Sequence, residues 1–269
     1  MICGMSQEVP ADRHLRTFAG LRRVVATLRG PDGCPWDRVQ THESLRPYLT
    51  EEAAEVLAAL DDADPARLCD ELGDLLFQVL IHVQLAEERG DFKMSDVIYS
   101  LAAKLVRRHP HVFASAIAET PGAVVEQWDD LKNRERGGGP ALQGIPPTLP
   151  SLAYAQAMQR RAARAGFSWE SLDQAWQALE EELEELREAA SPEEKRRELG
   201  DSLFALANLA RHLELDAEDA LRRGADGFAR LFGTMESMIT ERGIDLKEAD
   251  FDSKLALWEE AKSGARRNS

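Results

Sequence analysis

The strongest pattern along the chain runs from Glu71 to Ala86, where Leu72, Leu75, Leu76, Val79, Leu80, Val83 and Ala86 recur at helical spacing. Residues three and four apart share one face of a helix, so these side chains form a wide apolar stripe suited to a bundle core. Arg89-Gly90 closes the segment with a basic last turn and a C-cap glycine. Leu/Ala/Val periodicity predicts further helices over 14–29, 43–61, 94–108, 121–133, 151–165, 171–190, 193–213, 216–239 and 252–263. No alternating stretch is long enough for a strand. The expected fold class is all-α, built as helical bundles.

The pattern breaks at Arg136-Gly-Gly-Gly-Pro140 and again at Gly144-Ile-Pro-Pro-Thr-Leu-Pro150, a segment rich in Gly and Pro. The glycines lack the preceding strand and following Lys-Ser/Thr of a phosphate-binding P-loop, so 136–150 reads as a linker. Landmarks repeat across it. Glu51-Glu52-Ala-Ala-Glu55 returns as Glu181-Glu182-Leu-Glu-Glu185, and Glu71-Leu-Gly-Asp74 as Glu198-Leu-Gly-Asp201. Gly33-Cys-Pro-Trp36 is echoed by Gly166-Phe-Ser-Trp169, and Trp128 with Lys132 by Trp258 with Lys262. Four landmarks in one order, at offsets of 127 to 133 positions, mark a tandem duplication. The expected organisation is a first helical repeat over 14–135, a linker over 136–150 and a second repeat over 151–265.

Composition narrows the function. The 269 residues carry 33 Lys+Arg against 48 Asp+Glu, a formal charge of −15. An acidic total argues against nucleic acid or an anionic membrane surface as the partner, since both demand a basic footprint. No run reaches the length of a membrane span and the N-terminus lacks a secretory apolar region, so a cytoplasmic, soluble protein is expected. Three cysteines (Cys3, Cys34 and Cys69) have no zinc spacing and cannot form a closed disulfide set. They read as inert thiols in a reducing compartment.

Glu52 and Glu55 stand three apart, as do Glu71 and Asp74, so each pair projects from one helix face. Asp61-Asp-Ala-Asp-Pro65 is a turn, which makes the two helices an antiparallel hairpin able to bring the pairs face to face. Converging carboxylates repel and raise one another's pKa unless cations sit among them. An all-oxygen set without His or Cys favours Mg²⁺, with Mn²⁺ as substitute, over zinc. A single such pair in an acidic chain would read as a solvated helix face. Its occurrence on consecutive helices, twice over, points to metal, with Glu182, Glu185, Glu198 and Asp201 as the second set.

The segments GCPWDRVQT, EEAAE, DELGDLLFQ, KLVRRHPHVF, QWDDLK, RAARAGFSW and ELGDSLFALANLARH together resemble the MazG family of nucleoside triphosphate pyrophosphohydrolases over residues 14–265. The resemblance implies an all-α pyrophosphohydrolase fold, Mg²⁺ held by Glu52, Glu55, Glu71 and Asp74, and cleavage of an NTP or dNTP to NMP and pyrophosphate. It also implies a homodimer, which the apolar stripes independently suggest because one hairpin cannot cover them.

Candidate substrate contacts follow. Lys104, Arg107 and Arg108 share a helix face that can grip phosphate, although a basic helix end is also favoured by the macrodipole. Trp36 and Trp128 can stack on a base or lie in the bundle core, Lys132 can reach phosphate, and Gln40 can bond a base. The second repeat has Gly227 and Leu231 where the first has Lys104 and Arg108, and Ala225 where the family pattern has asparagine. The second repeat is the active one in some family members. Here the retained basic residues place most activity in the first, with the second binding metal weakly and aiding assembly. The competing readings are a nucleotide- or metal-sensing module without turnover, and a purely structural bundle.

Overall fold

The computed structural model describes residues 12–135 and 139–267. Cys3 and the first residues of the expected linker, 136–138, lie outside them. Among the described residues there are thirteen helices and no strand: the fold is all-α. The chain divides into two compact units, residues 1–135 and 136–269. No helix among the described residues is long and apolar enough to cross a membrane.

The first unit contains α1 (Asp12–Leu15), α2 (Phe18–Arg29), α3 (Pro35–Val39), α4 (Arg46–Asp62), α5 (Pro65–Arg89), α6 (Met94–Arg108), α7 (Pro110–Phe113) and α8 (Pro121–Glu135). The single helix expected over 14–29 is interrupted at Thr17. That residue adopts extended backbone and its hydroxyl accepts from the Gly20 N–H at 3.0 Å, so a capped helix starts afresh. Asp64 caps α5 by accepting from Ala66 and Arg67 N–H groups, and Pro65 takes the first helical position, where no N–H is needed. These residues close α4 onto α5 as a hairpin. At the other end Gly90 (φ +75°) terminates α5, with the Asp91 N–H returning to the Ala86 carbonyl at 2.9 Å.

Val25 of α2, Leu45, Met94 of α6 and Leu80, Ile81, Val83 and Leu85 of α5 form the core of this unit. Ion pairs Arg22–Glu87 and Arg29–Glu88, both 2.7 Å, tie α2 to the last turns of α5. The apolar stripe of α5 is only partly core. Leu80 and Val83 are buried, whereas Leu72, Leu76 and Val79 are 36–49% exposed. The reason lies in helix length: α2 covers the C-terminal half of α5, while the N-terminal half has α4 alone against it.

The second unit contains α9 (Ser151–Arg164), α10 (Leu172–Glu188), α11 (Pro192–His212), α12 (Ala217–Arg242) and α13 (Phe251–Arg267). A capping box between Ser191 and Glu194 starts α11, again with proline at its first position, and turns it back on α10. Ala175, Leu179 and Leu209 bury the α10–α11 contact. Met235, Ile239, Leu257 and Ala261 bury the contact of α12 with α13. Gln156 of α9 is 1% exposed and fully bonded. Its amide donates to the Ala207 and Leu215 carbonyls and accepts from the Ala217 N–H, locking α9 to α11 and to the start of α12.

Ile81 is fully buried in the first core, so Ile81→Ala removes apolar contacts that the packed surroundings replace only in part. A loss of about 2–5 kcal/mol is expected on the urea-unfolding transition of the first unit.

Candidate active site

Each hairpin gathers carboxylates at the level of its acidic motifs. In the first, Glu52 and Glu55 of α4 and Glu71 of α5 each offer an oxygen, all within 4.8 Å of one another. In the second, Glu182 and Glu185 of α10 meet Glu198 of α11 within the same distance. The fourth member of each set, exposed as Glu55 and Glu185 are, is electrostatically coupled to it. Asp74 pushes up the pKa of Glu52, and Asp201 that of Glu182.

Burial is the largest cause of both shifts. It raises Glu52 and Glu182 above the ordinary 4.5, and the neighbouring carboxylate charges raise them further. Arginine partly offsets the charge in each set: Arg67 lies 3.4 Å from Glu71, and Arg197 bonds the buried Glu198. The donor set is therefore all oxygen, partly desolvated and over-supplied with negative charge. That chemistry fits a hard divalent cation.

The predicted basic and aromatic residues form a different cluster. Arg107 and Arg108 of α6 both bond Glu135 of α8, at 2.6 and 3.2 Å, and together hold the Glu135 pKa at about 2, Arg108 contributing most. Trp128 carries the Arg108 guanidinium 5.1 Å from its ring centroid and the Lys132 ammonium 5.3 Å away. Lys104 is half-buried one turn earlier on α6. α6 packs on α5 through its first turn, where Met94 joins the core and its N–H donates to Glu87 at 2.9 Å, sixteen residues along α5 from Glu71, while its Arg107–Arg108 end pairs with α8. Trp36 makes an edge-on contact with Tyr48 at 5.6 Å. Gln40 holds its own loop, donating to the Trp36 carbonyl and accepting from Ser44.

A cavity of about 510 Å³ opens beside the second carboxylate set, bounded by Glu182 and Asp201 at one end and by Phe167, Trp169, Asn208 and Arg211 elsewhere. This volume falls in the range of small-molecule sites. Ala205 lines it, and the matching position of the first repeat, 127 residues earlier, is Gln78. The Gln78 side chain is 3% exposed and its amide reaches Glu52 at 3.4 Å. One repeat thus fills with a glutamine the place where the other has a methyl group. Asn208 and Arg211 likewise replace Ile81 and Gln84. Sequence reasoning passed over these positions, although aligning the two repeats along α5 and α11 exposes all three differences.

A family model described as the MazG nucleotide pyrophosphohydrolase domain matches residues 40–113. The chain is 43% identical over 249 residues to the nucleoside triphosphate pyrophosphohydrolase/pyrophosphatase MazG of Thermotoga maritima, covering 92% of this chain and 96% of the relative. It belongs to the MazG family. The nucleoside triphosphate pyrophosphohydrolase of Escherichia coli K12 is 40% identical over 90% of this chain and 95% of its own length. That of Mycobacterium tuberculosis is 38% identical, but over 49% of this chain and 41% of its own length. The MazG family model falls on the first repeat, whereas the long relatives extend through both.

The raised carboxylates set a stability dependence on pH. A folded pKa above the unfolded value stabilises below the unfolded value, and that contribution is lost as pH climbs through the folded one. In protein treated with chelator, Glu52→Gln and Glu182→Gln should each raise the melting temperature at pH 7 by a few degrees. Near pH 4, where the wild-type groups take up protons, the gain should vanish in differential scanning calorimetry.

Proposed function

We propose that this MazG-family enzyme hydrolyses nucleoside or deoxynucleoside triphosphates between the α and β phosphates, releasing NMP and pyrophosphate in a Mg²⁺-dependent reaction. Its role on this reading is control of the nucleotide pool. The observation that carries the proposal is the cavity of the second unit opening onto a converged carboxylate set.

A triphosphate brings about four negative charges to that set, an encounter made favourable only by bound cations. Glu182, Glu185, Glu198 and Asp201 would hold Mg²⁺, with Mn²⁺ as a substitute, and Glu52, Glu55, Glu71 and Asp74 would do so in the first unit. An ion held there would supply positive charge to offset the triphosphate and its pyrophosphate leaving group, and would make a nearby water a better nucleophile. Arg197, which bonds Glu198 at 3.0 Å, would share that carboxylate with the ion. Phe167 and Trp169 offer aromatic walls for the nucleoside, and the apolar lining excludes water.

The retained Lys104, Arg107 and Arg108 favour the first repeat on sequence grounds. The geometry favours the second. Arg107 and Arg108 already neutralise Glu135, and buried Gln78 stands in the first unit where Ala205 lines the cavity in the second. With Mg²⁺, Glu198→Gln should lower pyrophosphate release from a mixed NTP panel by at least about a hundredfold, and Glu71→Gln by much less. Loss confined to Glu71→Gln would return the activity to the first repeat. Magnesium uptake by calorimetry without pyrophosphate release would replace the enzyme with a sensing module.

The same reading includes a homodimer without nucleic acid or membrane partners. Leu72, Leu76 and Val79 on α5 and their counterparts Leu199, Leu203 and Leu206 on α11 are exposed in both units, a duplicated apolar stripe with nothing polar to solvate it. Leu72→Glu/Leu76→Glu should shift the sedimentation coefficient of the full chain from dimer to monomer. An unchanged dimer would remove this stripe from the interface.

A further inference from the structure

The cavity of the second unit carries charge at both ends, of opposite sign. Asn208 and Arg211 stand seven and ten residues after Asp201 on α11, about 10 and 15 Å farther along the helix axis. A nucleotide whose phosphates lie at the carboxylates therefore extends its base toward them.

Arg211 has no carboxylate partner within ion-pair distance among the described residues, and the charge of Arg160 acts on it. Its guanidinium is held rigidly. Nε donates to Asn208 Oδ1 at 3.0 Å, and Nη2 lies 2.8 Å from both Ser168 Oγ and His212 Nε2. Burial, and then the charge of Arg211, press the His212 pKa below its ordinary 6.5, which keeps the ring neutral and able to accept. With Nε and Nη2 engaged, Nη1 is the guanidinium nitrogen left for a ligand. Asn208 accepts through its oxygen, so its amide N–H groups are donors to the same space.

Gln159, 6% exposed, supplies the opposite polarity. Its Nε2 donates to the Phe204 carbonyl at 2.7 Å, which fixes the amide orientation, and its Oε1 is buried without a hydrogen-bond partner among the described residues. A buried acceptor left unpaired is costly, and a ligand N–H satisfies it.

We infer that Arg211, Asn208 and Gln159 read the base edge, and that this cavity selects keto bases over amino bases. This inference rests on reading the cavity as the seat of the nucleoside. Uracil, thymine, guanine and hypoxanthine each place a carbonyl oxygen beside a ring N–H. The carbonyl accepts from Arg211 and Asn208, and the N–H donates to Gln159 Oε1. Cytosine and adenine present the reverse: an amino group faces the guanidinium, and a ring lone pair faces the glutamine oxygen. Sites built on hydrogen bonding reject such mismatches strongly because their own buried groups go unpaired. The first repeat has Gln84 and Ile81 at the matching positions and lacks this reader.

The experiment compares kcat/KM for pyrophosphate release from UTP, CTP, GTP and ATP by the full chain with Mg²⁺. UTP should exceed CTP, and GTP should exceed ATP, by at least about tenfold. Arg211→Gln, which copies the residue at the matching position of the first repeat, should bring both ratios to within about threefold of unity. Equal rates on all four in the wild type, or an Arg211→Gln variant that loses all four equally with its ratios intact, would overturn the inference. If none of the four is hydrolysed, the pyrophosphohydrolase reading fails, and calorimetric affinity for UMP against CMP then decides the base inference by itself. Tighter UMP supports it, and equal affinity overturns it.

Discussion

Mutual repulsion among half-buried carboxylates organises this protein. Two antiparallel helices can bring three acidic oxygens within 4.8 Å only if something outweighs the Coulomb cost. In each unit the hairpin supplies that constraint. A proline-started, side-chain-capped second helix fixes the turn, and the apolar residues farther along the helix hold the pair closed. The folding free energy of the hairpin is spent in part on keeping charges together. The raised pKa values of Glu52 and Glu182 record that tension.

The duplication lets one chain carry two versions of the arrangement. The acidic motifs are nearly identical, and in both units burial and neighbouring carboxylates raise the pKa of the second glutamate of the first helix's motif. What lies beside them differs. In the first unit Gln78 bonds Glu52, and aromatic and basic groups are consumed in a Trp128–Arg108–Glu135 cluster away from the carboxylates. In the second, Ala205 leaves space, and Phe167, Trp169, Asn208 and Arg211 surround it. On the same helical face the first repeat places an amide where the second places a methyl group beside its cavity. Duplicated enzymes can diverge in this way without touching the motif that defines their chemistry.

Short polar contacts position the cavity as much as apolar packing does. Gln156 locks α9 to α11 through three bonds to backbone, and Gln159, one turn later, donates to the Phe204 carbonyl. Bonded to backbone in this way, such buried amides make the wall of a site rigid.

Much of this was legible before any coordinates. Helical periodicity gave the all-α class and most helix limits, because spacing of three and four is a local property of the chain. Motif repetition exposed the duplication, and the ExxE and ExxD spacings identified the residues that converge. Other features depended on contacts distant in sequence. The break at Thr17 came from a local cap too weak to read against a continuous apolar pattern. The solvent exposure of Leu72, Leu76 and Val79 depended on how far α2 reaches along α5. The capture of Arg107 and Arg108 by Glu135 depended on where α8 returns. The cavity itself was invisible to periodicity, since it is an absence of side-chain volume created jointly by three helices. Sequence determined which acidic groups face one another across each hairpin; tertiary structure decided which neighbours are left to them, because charge pairing and empty space are properties of the packed chain.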